Sequence, residues 1–383
     1  MRQRGAAGWL KHDITHRGIT AWALAALLLS FYIFLYWGGR TLLGVHVPNL
    51  VHDFAVWIRD VTGWKFVNRW TVYGALYTLA ITGGGIHVMR KYRHNAYQLV
   101  RTSVVIVTQM SLAFSVPILL KLSGQPEYYF SYLWPLKIEY LFPHHLSSLP
   151  VYMLVYSLLG SMVMVPLASI FFGKRWYCSW ICGCGGLANT FGDPWRHLSS
   201  KSNAAWRFEK VSIHTTLGLA FLLTGLVAAS FLVGKGHPEF HHAVKSFRAV
   251  YMFVVVSILS GIVGVAAYPI GGTRIWCRFF CPMAAMIGLL QKFGRYRITV
   301  KENMCISCGL CSKYCEMGID VRSYAQRNQS FVRASCVGCG ICAEVCPRGV
   351  LRLENKWDKD PQELNMQTLL SESYKHSPHR KAA

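Results

Sequence analysis

Thirteen cysteines carry most of the chemical potential of this 383-residue chain, and eight of them fall into two tight runs. The first run is Cys305, Cys308, Cys311 and Cys315. The second is Cys336, Cys339, Cys342 and Cys346, followed by Pro347. Each reads C-x2-C-x2-C-x3-C, a spacing that holds [4Fe–4S] clusters. Three thiolates in one loop reach three corners of a cubane, and the fourth cysteine of each run ligates the other cluster. The pattern assigns Cys305, Cys308, Cys311 and Cys346 to one cluster. It assigns Cys336, Cys339, Cys342 and Cys315 to the second. Gly309, Gly338 and Gly340 let the backbone pass close to the sulfides. Zinc is the competing occupant, but its structural sites usually pair two C-x2-C knuckles. Glu316 stands where proline usually follows the fourth cysteine, and a carboxylate there is expected to lower the potential of the cluster bound by Cys315.

The other five cysteines are Cys178, Cys182, Cys184, Cys277 and Cys281. They belong to an internal repeat: Arg175-Trp-Tyr-Cys178-Ser-Trp-Ile-Cys182 matches Arg274-Ile-Trp-Cys277-Arg-Phe-Phe-Cys281. Cysteines at i and i+4 share one face of a helix. Each pair directly follows an apolar stretch, so both sit at similar depth. The expectation is that Cys178, Cys182, Cys277 and Cys281 meet at the cytoplasmic membrane surface and bind a third metal centre. Four thiolates suit an iron–sulfur cluster or a closed zinc site. Arg175 and Arg274 would offset the thiolate charge, and Cys184 is a surplus or alternative ligand. The competing reading is four small, buried structural thiols.

The elements that must position these residues are membrane helices. Six stretches, Ile19–Trp37, Thr71–Met89, Thr102–Leu120, Leu149–Phe172, Ser212–Gly234 and Ala249–Ile270, contain no Lys, Arg, Asp or Glu. Each is close to the ~20 residues that cross a hydrocarbon core. Gly83, Gly84, Gly85 and Pro269 interrupt the second and sixth. The first is too long for a signal-peptide core and lacks a small-residue cleavage site after it. Charged residues are only 15% of the chain, against about 25% in soluble proteins. The net charge of +23 is spread over loops and tails and points to anchoring and anionic lipid, not nucleic acid. Basic residues are denser before the first stretch, between the second and third, and between the fourth and fifth. The termini are therefore expected in the cytoplasm of a multi-pass inner-membrane protein. All thirteen cysteines then lie on the reducing side.

The expected fold is mainly α: a cytoplasmic tail (1–18), a membrane domain (19–297), a small α+β ferredoxin-like domain for two [4Fe–4S] clusters (298–355) and a disordered tail (356–383). In the first external loop, Asn49 reads as an N-cap and Gly63 as a stop, with Leu50, Val51, Phe54, Ile58 and Val61 on one face. This predicts a short interfacial helix. Tyr128, Tyr129, Tyr132, Trp134 and Tyr140 of the second external loop read as an aromatic belt, with a quinone-binding rim as the alternative. Histidines His46, His52, His144, His145, His237, His241 and His242 fall in external loops and read as solvated or interfacial, with quinol deprotonation or copper contact as the alternative. Only His87 and His214 lie in apolar stretches, so haem is not expected.

Several spans, paired C-x3-C motifs and a two-cluster tail resemble the NapH/NosR/CcoG-type membrane-bound polyferredoxins. These include a quinol dehydrogenase subunit of periplasmic nitrate reduction, a nitrous-oxide-reductase maturation factor, and a branch implicated in copper reduction during oxidase assembly. The resemblance covers about residues 70–355. Cys277 to Pro282 fits the motif fully, whereas Gly183 replaces proline after Cys182. No flavinylation sequence is present and the first external loop is too short for a flavin domain, so covalent FMN is not expected. The resemblance implies an electron-transfer subunit, or a quinol dehydrogenase, working between the quinone pool and a redox partner protein. The alternatives are a copper reductase that serves oxidase assembly, and a redox sensor.

Overall fold

The computed structural model describes residues 18–355, apart from residues 43, 174, 234 and 235. The two tails, including the stretch 356–383 expected to be disordered, lie outside the described residues. Six helices are long and apolar enough to cross a bilayer: Ile19–Trp37, Arg69–Lys91, Ala96–Leu122, Val151–Phe172, Asn203–Val233 and Pro238–Ala266. They make this a mostly helical, multi-pass membrane protein. Large apolar side chains such as Leu79, Val107 and Leu232 stay exposed, as lipid-facing positions require.

The second, third, fifth and sixth helices begin before their apolar stretches, because nothing in the preceding polar turns breaks them. The sixth begins at Pro238, so His241 and His242 are helical rather than in a loop. It ends at Ala266, and Pro269 belongs to the separate turn Tyr268–Gly271. Gly83 to Gly85 do not interrupt the second span. A Cβ on Gly85 would lie 2.6 Å from Ile106 of the third span, so the small residue sets the close approach of the two helices. The external helix spans Leu50–Thr62 and stops at Gly63, whose φ of +73° suits glycine. Asn49 precedes it but makes no side-chain cap.

Two features differ from the sequence reading. The second external loop is no belt: Tyr128, Leu133, Trp134, Ile138, Tyr140 and Phe142 are all buried. Tyr177 donates its hydroxyl hydrogen bond to the Ser131 carbonyl, and Trp134 Nε1 donates to Thr224 at 3.0 Å. The loop therefore folds down into the bundle. The repeats, for their part, do not lie at the surface. After the fourth span the chain turns back at Gly173, and Gln109, at the middle of the third span, donates to the Ile181 carbonyl at 2.6 Å. Cys182 and Cys281 thus sit at the deep ends of the short helices Gly183–Asn189 and Pro282–Leu290.

The C-terminal domain closes on a two-stranded antiparallel sheet. Strand β1 (Tyr296–Val300) pairs with β2 (Leu351–Asn355), with Tyr296 opposite Asn355. The sheet starts two residues before the expected boundary at 298. Ile298, Met317, Ile319, Phe331, Val337 and Leu351 form the core beneath it.

Candidate metal centres

The two cysteine runs fold into similar loops, each with a left-handed glycine before a one-turn helix: Gly309 (φ +76°) before Leu310–Lys313, and Gly340 (φ +73°) before Ile341–Glu344. Cys305, Cys308, Cys311 and Cys346 line one cavity. Cys315, Cys336, Cys339 and Cys342 line another. The fourth cysteine of each run thus lines the same cavity as the other run's first three. Equivalent amides serve the two crossing thiols: Ile319 N–H donates to Cys315 Sγ and Val350 N–H to Cys346 Sγ, both at 3.4 Å.

Cys178, Cys182, Cys277 and Cys281 share one core with Trp134, Leu217 and Val255. They come together, though not on one helical face. In each repeat the helix breaks between the two cysteines. Cys178 lies in the turn Trp176–Trp180 and Cys277 in Trp276–Phe280, while Cys182 and Cys281 cap the next helices in extended conformation. The equivalence extends to their dihedrals, φ −62°, ψ 131° at Cys182 and φ −80°, ψ 115° at Cys281. Proline follows Cys281, its favoured first helical position. Glycine follows Cys182 for a steric reason: a Cβ on Gly183 would meet Tyr132 Oη at 2.8 Å, Gln109 Oε1 at 2.9 Å and Tyr77 Oη at 3.0 Å. Cys184 is half-buried.

Whether these thiols suit a metal cluster is answered by the surrounding charge. Burial, with the neighbouring cysteines adding to it, pushes the thiols of Cys178 and Cys281 up. A metal-free tetrad would be neutral. Yet Arg101, Arg175, Arg196 and Arg274 are all buried in this region, and the buried carboxylates beside them are Asp193 and Glu316. Asp193 is already shared between Lys91 and Arg196. Arg175 donates to the carbonyls of Ala334 and Cys277, and among the described residues it has no carboxylate partner. Buried charges require counter-charges. An anionic, thiolate-ligated cluster supplies them, so the donor set and its surroundings fit the group.

Glu316 is the residue whose surroundings the sequence did not reveal. It is 0% exposed and held between Arg274 (3.2 Å) and Arg196 (3.4 Å). Burial opposes its ionisation, but Arg274, Arg196 and Arg101 prevail and hold the carboxyl down at about 2. Arg274 also reaches Cys277 Sγ at 3.7 Å, and Arg196 reaches Cys339 Sγ at 3.9 Å. One polar chain therefore joins the tetrad to the Cys315 set, and the carboxylate there is more than balanced by arginine. Further bonds fasten the same end of the domain to the bundle. Tyr97 Oη donates to the Gly338 carbonyl at 2.7 Å and Gln98 Nε2 to the Cys339 carbonyl at 2.5 Å.

These features define a membrane-bound iron–sulfur protein with ferredoxin-type domains. A family model described as a 4Fe-4S dicluster domain matches residues 298–353, and one described as a 4Fe-4S binding domain matches residues 154–202 and 251–301. The second covers both membrane repeats. Among curated relatives, the methylamine utilization ferredoxin-type protein MauN of Methylobacillus flagellatus is 26% identical over 166 residues, 43% of this chain and 56% of that protein. YccM of Escherichia coli strain K12, provisionally described as an electron transport protein, is 25% identical over 161 residues, 40% of this chain and 44% of YccM. An uncharacterized protein of Methanocaldococcus jannaschii is 21% identical over 158 residues, 41% of this chain and 58% of its own. The chain spans about half the length of the curated relatives it matches. No solved structure matches it. The chain is thus homologous to ferredoxin-type electron transport proteins.

Proposed function

We propose that this protein carries electrons across the membrane boundary, between the quinone pool and a redox partner protein. The observation that carries the reading is the order of the three cysteine sets. The tetrad lies within the bundle, the Cys315 set is joined to it through Arg274 and Glu316, and the Cys305 set lies beyond. Clusters bound there supply one-electron chemistry. The chain supplies the thiols, the arginine counter-charges and the fixed docking that sets their spacing. The provisional description of YccM as an electron transport protein supports this reading. Reconstituted, iron-replete protein is expected to show cluster reduction on adding a ubiquinol or menaquinol analogue. No reduction by either, with a competent acceptor present, would move the reading to metal reduction.

Cys305, Cys308, Cys311 and Cys346 are proposed to hold one [4Fe–4S] cluster, and Cys336, Cys339, Cys342 and Cys315 the other. Cys315→Ala should then damage the cluster of the second run, and Cys346→Ala that of the first. EPR of the two variants decides it. Loss of the first-run signal alone in Cys315→Ala would show uncrossed ligation. Cys178, Cys182, Cys277 and Cys281 are proposed as the ligands of a third centre.

The charge bias of the loops supports an inner-membrane orientation with both termini cytoplasmic. A reporter enzyme active only outside should be silent when fused after residue 355 and active when inserted near Gly124. The reverse pattern would overturn the orientation.

A further inference from the structure

The two ends of the ferredoxin-type domain differ in what covers them. The end bearing the Cys315 set is sealed against the bundle. Residues 95–98 bond to Gly338, Cys339 and Glu344, and Arg274 and Arg196 bond to Glu316. The end bearing the Cys305 set is open. Cys308 is exposed and the adjoining Ile306 is 57% exposed. The cavity there is rimmed by Pro347 and by Arg322 and Arg348, both exposed. Among the described residues neither arginine pairs with a carboxylate. Acidic groups elsewhere on the domain are drawn inward. Of its five carboxylates, Glu302, Glu316, Asp320, Glu344 and Glu354, only Glu302 is exposed.

We propose that this open end is the docking surface for an acidic one-electron carrier protein, whose own cluster or flavin meets the protein over Cys308. The proposal deepens the electron-transfer reading and rests on it. Ile306 and Pro347 provide a small apolar centre, and Arg322 and Arg348 a positive rim. A long-lived interface would bury far more apolar surface, whereas transient redox encounters are small and steered by charge. One electron crosses per encounter: the carrier's centre loses what the Cys305-set centre gains, or the reverse. No bond is made or broken. An anionic bilayer would also attract this rim, but it has no use for an exposed ligand cysteine at the end of the domain away from the bundle.

The test uses full-length, iron-replete protein in neutral-lipid nanodiscs, with an acidic flavodoxin or an acidic 2[4Fe–4S] ferredoxin as probe and a basic cytochrome as control. Affinity is measured by titration calorimetry and reduction rate by stopped flow. Binding of the acidic probe should weaken about tenfold or more between low and physiological salt, as screening shortens the reach of exposed charges. Arg322→Glu with Arg348→Glu should weaken binding and slow the protein-driven rate to a similar degree. Iron and acid-labile sulfide content should stay unchanged, and lysine at both positions should restore binding. Salt-independent binding, or charge reversal without effect in cluster-replete protein, would overturn the surface. So would charge reversal that abolishes binding to phosphatidylglycerol vesicles while leaving the carrier untouched, because the face would then be a lipid contact. Failure of dithionite to reduce any cluster would instead sink the electron-transfer reading itself.

Discussion

Cys182→Ser combined with Cys281→Ser is expected to remove about a third of the iron from purified full-length protein, roughly four of twelve atoms if three cubanes are bound. The ferredoxin EPR signals should persist, while reduction by a quinol analogue should be lost. The substitution suits the site because both cysteines stand at helix N-cap positions, where the Cys281 side chain accepts a backbone hydrogen bond and the Cys182 side chain does not. Cys281 Sγ accepts from Ala284 N–H at 3.4 Å, and serine is a better cap than cysteine. The fold should therefore survive while two soft ligands are lost. Arg175, left with only carbonyl partners, should then be the most destabilised neighbour. An unchanged iron count in folded double variant would return the tetrad to the status of buried structural thiols.

The second large effect is expected at Glu316. Removing one partner of a buried ion pair typically costs about 3–5 kcal/mol, because the remaining charge is left uncompensated. Glu316→Ala leaves two arginines in that position, Arg274 and Arg196, both fully buried. The ferredoxin-type domain should loosen from the bundle and become sensitive to protease along the segment after Leu290. Glu316→Gln keeps the shape and removes one negative charge beside Cys315. Its proximal cluster should titrate at a higher potential, by on the order of 50 mV, which corresponds to roughly 1 kcal/mol for one electron. A redox titration followed by EPR measures this. An unmoved potential together with unaltered protease resistance would mean that the arginines find other counter-charges.

Much of this architecture is legible locally. The eight ferredoxin cysteines stand out by their spacing within two short loops, and each run's fourth cysteine lines the cavity of the other run's first three. The apolar stretches predict the six helices because a bilayer fixes their length and composition. The membrane repeat is likewise visible as matching residues, and its two copies take the same turn-and-cap form. Helix ends were less legible. Polar turns beyond the hydrocarbon, such as Asn203 to Val211, continue a helix without changing its apolar signal.

The sequence by itself determined the kind of cofactor, the number of cysteine sets and the membrane character, because each depends on neighbours in the chain. Only the tertiary structure decided the depth of the tetrad, the fate of the aromatic loop and the role of Glu316. Tyr128 and Trp134 have the composition of an interfacial belt, and only partners such as Ser157 and Thr224 make them core. Glu316 reads as a lone carboxylate until Arg196 and Arg274, far away in sequence, are brought to it. Burial and charge pairing are long-range, and a buried charge takes its meaning from whichever distant groups the fold places beside it.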